Sequence, residues 1–309
     1  MNKSIQDPTK VIQVENLRKS YKDLIAVDDI SFEVSRGEIF GLLGPNGAGK
    51  TTTVECLQGL RRYTSGKISV LGLDPAKNIG ALRRRIGSQL QDSELPQRIK
   101  VWEALDLFAS ITPGENGWRK LMKDWDLESK ANASFSSLSG GQKQRLFIAL
   151  ALVNHPEVVF LDEMTTGLDP VARHIAWDLI KEIRANGTTV ILVTHFMDEA
   201  EELCDRLAIV NKGKLLALDS PLGLTSKYAT NVKAAFSYDG NELPSLEDIP
   251  QVKKVTRNGR TVEVEGIGSF VSLMAAKLVS HGIVPNDLRT RQPSLEDVFL
   301  KLTGHRIEV

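Results

Sequence analysis

With 309 residues the chain is longer than a typical single domain, so a large domain accompanied by a smaller one is expected. Lys plus Arg and Asp plus Glu both total 39, for a formal net charge of zero. That balance excludes a global basic field for nucleic acid, so no nucleic-acid partner is expected. No apolar run approaches the ~20 residues needed to cross a bilayer, and residues 1–10 lack the apolar core of a secretory signal.

In chain order, residues 11–34 are strand-like, with Tyr21 placed as a half-buried strand aromatic, and a turn at Ser35-Arg36-Gly37-Glu38 precedes the apolar run 39–43. The next nine residues, Gly44-Pro45-Asn46-Gly47-Ala48-Gly49-Lys50-Thr51-Thr52, lead into a helical stretch over 51–60 and fit the pattern Gly, four residues, Gly-Lys-Thr. A strand that ends in a Gly-rich turn and opens a helix aims backbone N–H groups and the positive end of the helix dipole at one point. A phosphate fits there. In this pattern Lys50 reaches the β and γ phosphates and the Thr51 hydroxyl is the expected Mg²⁺ ligand. Cys56 and Cys204 have no CxxC or Cys/His spacing, which favours reduced, buried thiols of the kind a cytosolic protein carries.

Residues 67–71 read as a strand, Arg83-Arg84-Arg85 as a solvated helix end, and 86–89 as a short strand leading to Gln91. From about 92 to 137 the pattern turns helical, with Trp102, Trp118 and Trp125 placed mainly in a local core. Leu138-Ser139-Gly140-Gly141-Gln142 then opens an amphipathic helix that Pro156 ends. Ser139 suits an N-cap, but a serine and two glycines at a helix start also make a second anion site.

Residues 158–161 read as a buried parallel strand ending in Asp162-Glu163. Adjacent acids there are costly unless they act on a ligand, and in an open parallel sheet ligands sit at the carboxyl edge. Asp162 is therefore expected to hold Mg²⁺ through water, and Glu163 to polarise a water for attack on the γ-phosphate. Asp169-Pro170 is a helix start; residues 188–193 form another buried strand, and Thr194-His195 follows at the same edge.

The order and spacing of these residues over about 11–220 resemble the ATP-binding subunit of an ATP-binding cassette (ABC) transporter. The resemblance implies an α/β P-loop cassette over residues 1–220: a mixed-sheet core, an antiparallel β subdomain and an inserted helical subdomain at about 92–140. It implies that Tyr21 stacks on adenine, that Gly44 to Thr52 is the Walker A loop, and that Gln91 is the Q-loop glutamine, serving both catalysis and the metal. Ser139, Gly140, Gly141 and Gln142 match the signature motif, Asp162 and Glu163 Walker B, Asp169 the D-loop and His195 the switch histidine. Met164 departs from the proline usual after the glutamate, which is expected to alter loop stiffness. In that family two cassettes meet head to tail, so a chain with one set of motifs is expected to pair with itself or a paralogue.

Residues 221–309 read as a small α+β accessory domain without a catalytic cluster: a strand at 232–238, a hairpin over 252–264, a helix at 269–280, a strand and a last helix from Ser294 to Gly304. That last segment resembles the C-terminus of cassette subunits that pair with separate ABC-2-type permeases, many of them drug or antibiotic exporters. The resemblance implies a peripheral ATPase at the cytoplasmic face of the membrane, exporting a small drug-like or lipid-like molecule. The competing reading is a soluble ABC ATPase acting on ribosomes or nucleic acid, which the neutral charge disfavours. A P-loop kinase or GTPase is disfavoured by the signature motif.

Overall fold

The computed structural model describes residues 9–89, 94–111, 117–229, 231–240, 242–285 and 287–304. The expectations placed on Gln91 therefore lie outside the described residues.

The chain opens with β1 (Lys10–Tyr21) and β2 (Leu24–Ser35), a hairpin whose two-residue turn is made possible by Lys22 in the left-handed region at φ 49°. Next come β3 (Ile39–Leu43), α1 (Lys50–Leu57), β4 (Ser65–Val70), α2 (Ile79–Leu82) and β5 (Ile86–Gln89). Helix α1 stops three residues short of the predicted end because Gly59 turns left-handed at φ 73° and Leu60 N–H closes onto Glu55 O at 2.8 Å. Arg85 also differs from its expected place at a solvated helix end. Its guanidinium bonds Glu157 at 2.6 Å and Leu71 O at 3.1 Å, tying the end of β4 to the chain before β6.

The helical insertion follows as α3 (Val101–Ser110), α4 (Trp118–Asp124) and α5 (Gly140–Leu152). Trp118 and Trp125 are core residues, as expected, but Trp102 is 36 % exposed. The chain returns to the sheet through β6 (Val158–Asp162), α6 (Pro170–Ala185), β7 (Thr189–Thr194), α7 (Met197–Leu203), β8 (Arg206–Asn211) and β9 (Lys214–Asp219).

Two sheets build this part. The first is antiparallel, in the order β2-β1-β4; the second has six strands in the order β5-β6-β7-β3-β8-β9, parallel except for β9. Strands β3, β6 and β7 are buried along their whole length, which is why their sequences are unbroken apolar runs rather than alternating ones. One core joins both sheets through residues such as Ile12, Phe32, Phe40, Phe160 and Ile191.

The chain divides into two compact units after Pro221, which is the first residue of α8 (Pro221–Tyr228). The second unit contains β10 (Val232–Ser237), β11 (Val252–Asn258), β12 (Thr261–Gly266), α9 (Phe270–Ser280), β13 (Arg289–Arg291) and α10 (Leu295–Thr303). Its strands form an antiparallel sheet in the order β11-β12-β10-β13, over a separate core that includes Phe236, Val264, Phe270 and Met274. Helix α10 begins with the Ser294/Asp297 capping box and ends at Gly304, left-handed at φ 76°.

Candidate active site

Strand β7 lies between β3 and β6, and register sets the level of everything that follows: Leu43 pairs with Thr194, and Asp162 with Val193. Gly44, Glu163 and His195 are the next residues on their chains, so three separate segments emerge side by side at one carboxyl edge.

Between β3 and α1 the chain turns tightly. A Cβ on Gly44 would lie 2.1 Å from Val210 O and one on Gly49 2.3 Å from Ala26 O, so neighbouring backbone excludes any larger residue. Gly47 and Gly49 are left-handed at φ 78° and 99°, and Gly49 caps α1 without a side-chain partner. The first N–H groups of that helix are thus left for a ligand. Lys50 folds back over the loop, its Nζ donating to Gly44 O at 2.7 Å and Pro45 O at 3.1 Å. It is only 4 % exposed, and burial pulls its ammonium below the usual lysine range, opposed by the nearby Glu163 and Asp162 carboxylates.

Glu163 sits between that cation and a histidine. Its Oε1 is 3.8 Å from Lys50 Nζ and 3.2 Å from His195 Nδ1. The glutamate backbone is left-handed at φ 49°, a conformation that costs energy in a residue with a Cβ, and its N–H is held by Val193 O at 2.9 Å. Asp162 beside it is 2 % exposed, and burial followed by the Glu163 charge pushes its carboxyl up to about 6, against the hydrogen bond from Thr51 and the charge of Lys50. Its Oδ1 has no hydrogen-bond partner among the described residues. A buried carboxylate oxygen left open, beside a threonine hydroxyl, is the oxygen donor set a hard divalent cation takes.

Nucleotide-sized space adjoins this cluster. A cavity of ≈ 620 Å³ is lined by Tyr21, Asn46, Gly47, Ala48, Gly49, Lys50, Thr51, Thr52 and Glu163. A family model described as ABC transporter matches residues 27–166. The Nod factor export ATP-binding protein I of Rhizobium sp. (strain N33) is 40 % identical over 303 residues, spanning 96 % of this chain and 98 % of that protein. The chain belongs to the ABC transporter family. It is an ATP-binding subunit of that family and an ATPase. Two solved structures share its cassette fold. The ATP-binding subunit of an ABC transporter gives a TM-score of 0.65 at 29 % identity, over 71 % of this chain and 93 % of that one. The dimeric structure of a bacterial ABC transporter cassette gives 0.60 at 27 % identity, over 68 % and 98 %.

The remaining motif residues of the cassette fall outside the cavity. Ser139 caps α5 through a box with Gln142: Gln142 N–H reaches Ser139 Oγ at 3.4 Å, and Ser139 N–H reaches Gln142 Oε1 at 3.0 Å. Ser139 and Gly140 are exposed, and among the described residues no atom beyond the adjoining helix backbone lies within 4 Å of a Cβ built on Gly140 or Gly141. Asp169 caps α6 by accepting from Ala172 N–H at 2.9 Å. Met164 is buried, its side chain packed rather than solvated. Pro45 bounds the loop and, through its carbonyl, helps hold Lys50.

Five residues of the cavity, Leu24, Ile25, Ala26, Lys212 and Gly213, carry no motif. Leu24 and Ile25, 65 % and 41 % exposed, present apolar surface beside Tyr21, and Lys212 adds a cation from the turn between β8 and β9. That turn reaches the loop because Gly213 N–H bonds Ala48 O at 2.9 Å and Asp28 N–H bonds Gly213 O at 2.8 Å. Exposed apolar residues at a hairpin tip are the one sequence signal that could have marked Leu24 and Ile25. The two cysteines are buried and unpaired, and burial pushes the Cys56 thiol up to about 11.

Proposed function

We propose that two copies of this chain, or this chain and a paralogue, sandwich ATP head to tail and that its hydrolysis drives export through a separate ABC-2-type permease. The observation that carries the reading is the Lys50–Glu163–His195 cluster at the loop, together with a capped but uncovered Ser139-Gly140-Gly141 start of α5 outside the same cavity. Residues 44–52 cradle the phosphates through backbone N–H groups, and Lys50 leaves its loop carbonyls for the β and γ phosphates. Tyr21 takes the base, beside Leu24 and Ile25.

Thr51 and Asp162, with Gln91 as the third expected contact, would hold Mg²⁺, and the open Asp162 Oδ1 fits that role. The cation would neutralise charge on the phosphate oxygens. Glu163 accepts the proton of the attacking water, and His195 fixes the Glu163 carboxylate and faces the terminal phosphate. The signature residues Ser139, Gly140, Gly141 and Gln142, with Asp169, close over the nucleotide held by the partner copy. The dimeric form of a similar cassette supports this arrangement.

For the membrane partner, support comes from the relatives named as export ATP-binding proteins and from an apolar face on α3. Leu107 on α3 and Ile111 just past its end, four residues apart and so on one side of the helix, are 53 % and 68 % exposed and offer apolar surface for part of a permease at the cytoplasmic face. Among the described residues no helix is long and apolar enough to cross a membrane, so the pore would come from another chain. The exported molecule is proposed as small and drug-like or lipid-like. Affinity purification from detergent-solubilised membranes tests this: an integral membrane protein of several spans is expected to come with the chain. Recovery of ribosomes or DNA without one would overturn the reading.

A further inference from the structure

Glu199, the third residue of α7, lies four residues past His195 and is wholly buried. A carboxylate removed from water needs compensation, and here it comes from neutral donors instead of a cation. Its Oε1 accepts from Thr165 Oγ1 at 2.8 Å and from Trp177 Nε1 at 3.2 Å, the nearby Thr194 hydroxyl favours the ionised carboxyl, and Oε2 has no hydrogen-bond partner among the described residues.

These residues belong to three different pieces of the site. Thr165 is two residues past Glu163, in the loop that runs on to Asp169. Trp177 is on α6, the helix that Asp169 caps. Thr194 ends β7 and precedes His195. A second tie runs parallel to the first: Arg173 on α6 pairs with Asp198 at 3.3 Å and lies 4.4 Å from the Phe196 ring, whose centroid is 4.1 Å from that of His195 with the two planes tilted by 39°.

We infer that Glu199 is a positioning residue that holds the Glu163 loop, the His195 strand end and α6 in one fixed arrangement, so that hydrolysis depends on it and ATP affinity does not. The inference rests on the reading of Glu163 and His195 as the groups that face the terminal phosphate. Its physical basis is that a carboxylate oxygen can accept from several donors at one point, which no apolar side chain of similar size can do. None of its donors lines the nucleotide cavity, so their loss shifts the reacting groups without removing a contact to ATP.

Steady-state ATPase kinetics on the full chain with its copurified membrane partner test the assignment. Glu199→Ala and Glu199→Leu are expected to lower kcat by about tenfold or more through misplacement of the reacting groups, with KM for ATP within about twofold of wild type. Glu199→Gln keeps an acceptor for Thr165 and Trp177 and is expected to recover most of that kcat. Thr165→Val, which keeps side-chain volume and removes only the hydroxyl, is expected to lose kcat in the same way and covers the case in which Glu199→Ala fails to fold. Wild-type kcat in Thr165→Val, or a Gln variant as poor as the Ala variant, would overturn the inference. A wild-type complex that does not hydrolyse ATP would instead remove the functional reading beneath it.

Discussion

Lys50 is held by two loop carbonyls and faces Glu163 at 3.8 Å, beside the loop proposed to cradle the phosphates. Lys50→Ala is therefore expected to abolish ATP binding, read by fluorescent-nucleotide titration. Glu163→Gln should keep binding and lower turnover by about 100-fold or more, the usual worth of a general base. Near-wild-type turnover in that variant would remove Glu163 from the mechanism.

Glu199 makes a pH-dependent expectation. Burial first, with the neighbouring Asp198 charge acting in the same direction, raises its carboxyl above the usual glutamate range. The folded chain then holds a proton at a pH where the unfolded chain has lost it, so this group's stabilising contribution is complete at low pH and is lost as pH rises through its raised value. Glu199→Gln is expected to melt higher than wild type at pH 8, with the difference shrinking towards pH 5. A difference that does not change with pH contradicts this. That Lys50, Asp162, Glu163 and His195 share one edge of the sheet was legible in the sequence, because each sits at a fixed place relative to a strand end. Lys212 and Glu199 were not, because their relevance arises from packing between elements remote in the chain.

At the scale of elements, the loop between β3 and α1 discriminates among its own glycines. Gly44 has Val210 O where a Cβ would go, at 2.1 Å, whereas Gly47 has open space and only its left-handed φ of 78° to satisfy. Gly44→Ala should cost about 3 kcal/mol by forcing backbone apart, and Gly47→Ala about 1 kcal/mol from conformation alone. Urea unfolding of both variants checks the order; equal losses would contradict it. The elements around the site followed their predicted spans closely where the signal was a buried apolar run, as in β3, β6 and β7. They departed where a single left-handed residue ended them early, as Gly59 does for α1. Trp102 departed for another reason: periodicity marks an apolar face but not whether that face is covered.

For the whole molecule, two cores in two units imply separable stability. Phe270 is fully buried in the second core, so Phe270→Ala should destabilise that unit by about 3–5 kcal/mol. It is expected to move one calorimetric transition and leave Mg-ATP binding intact; loss of nucleotide affinity would contradict that independence. The α/β cassette and its ATP loop were legible from the motifs in their order. The resemblance implies that Ser139 meets a nucleotide held by a second cassette, and within one chain the serine caps α5 in full view of solvent and lines no part of the cavity that holds Lys50.

The account turns on a nucleotide shared between two copies, and the particle mass of Glu163→Gln, measured by light scattering with Mg-ATP and with ADP, tests it most directly. Two chains per particle are expected with ATP and one with ADP, and adding Ser139→Arg should return the ATP sample to one. A single chain with ATP, or a dimer indifferent to Ser139→Arg, would contradict the shared site.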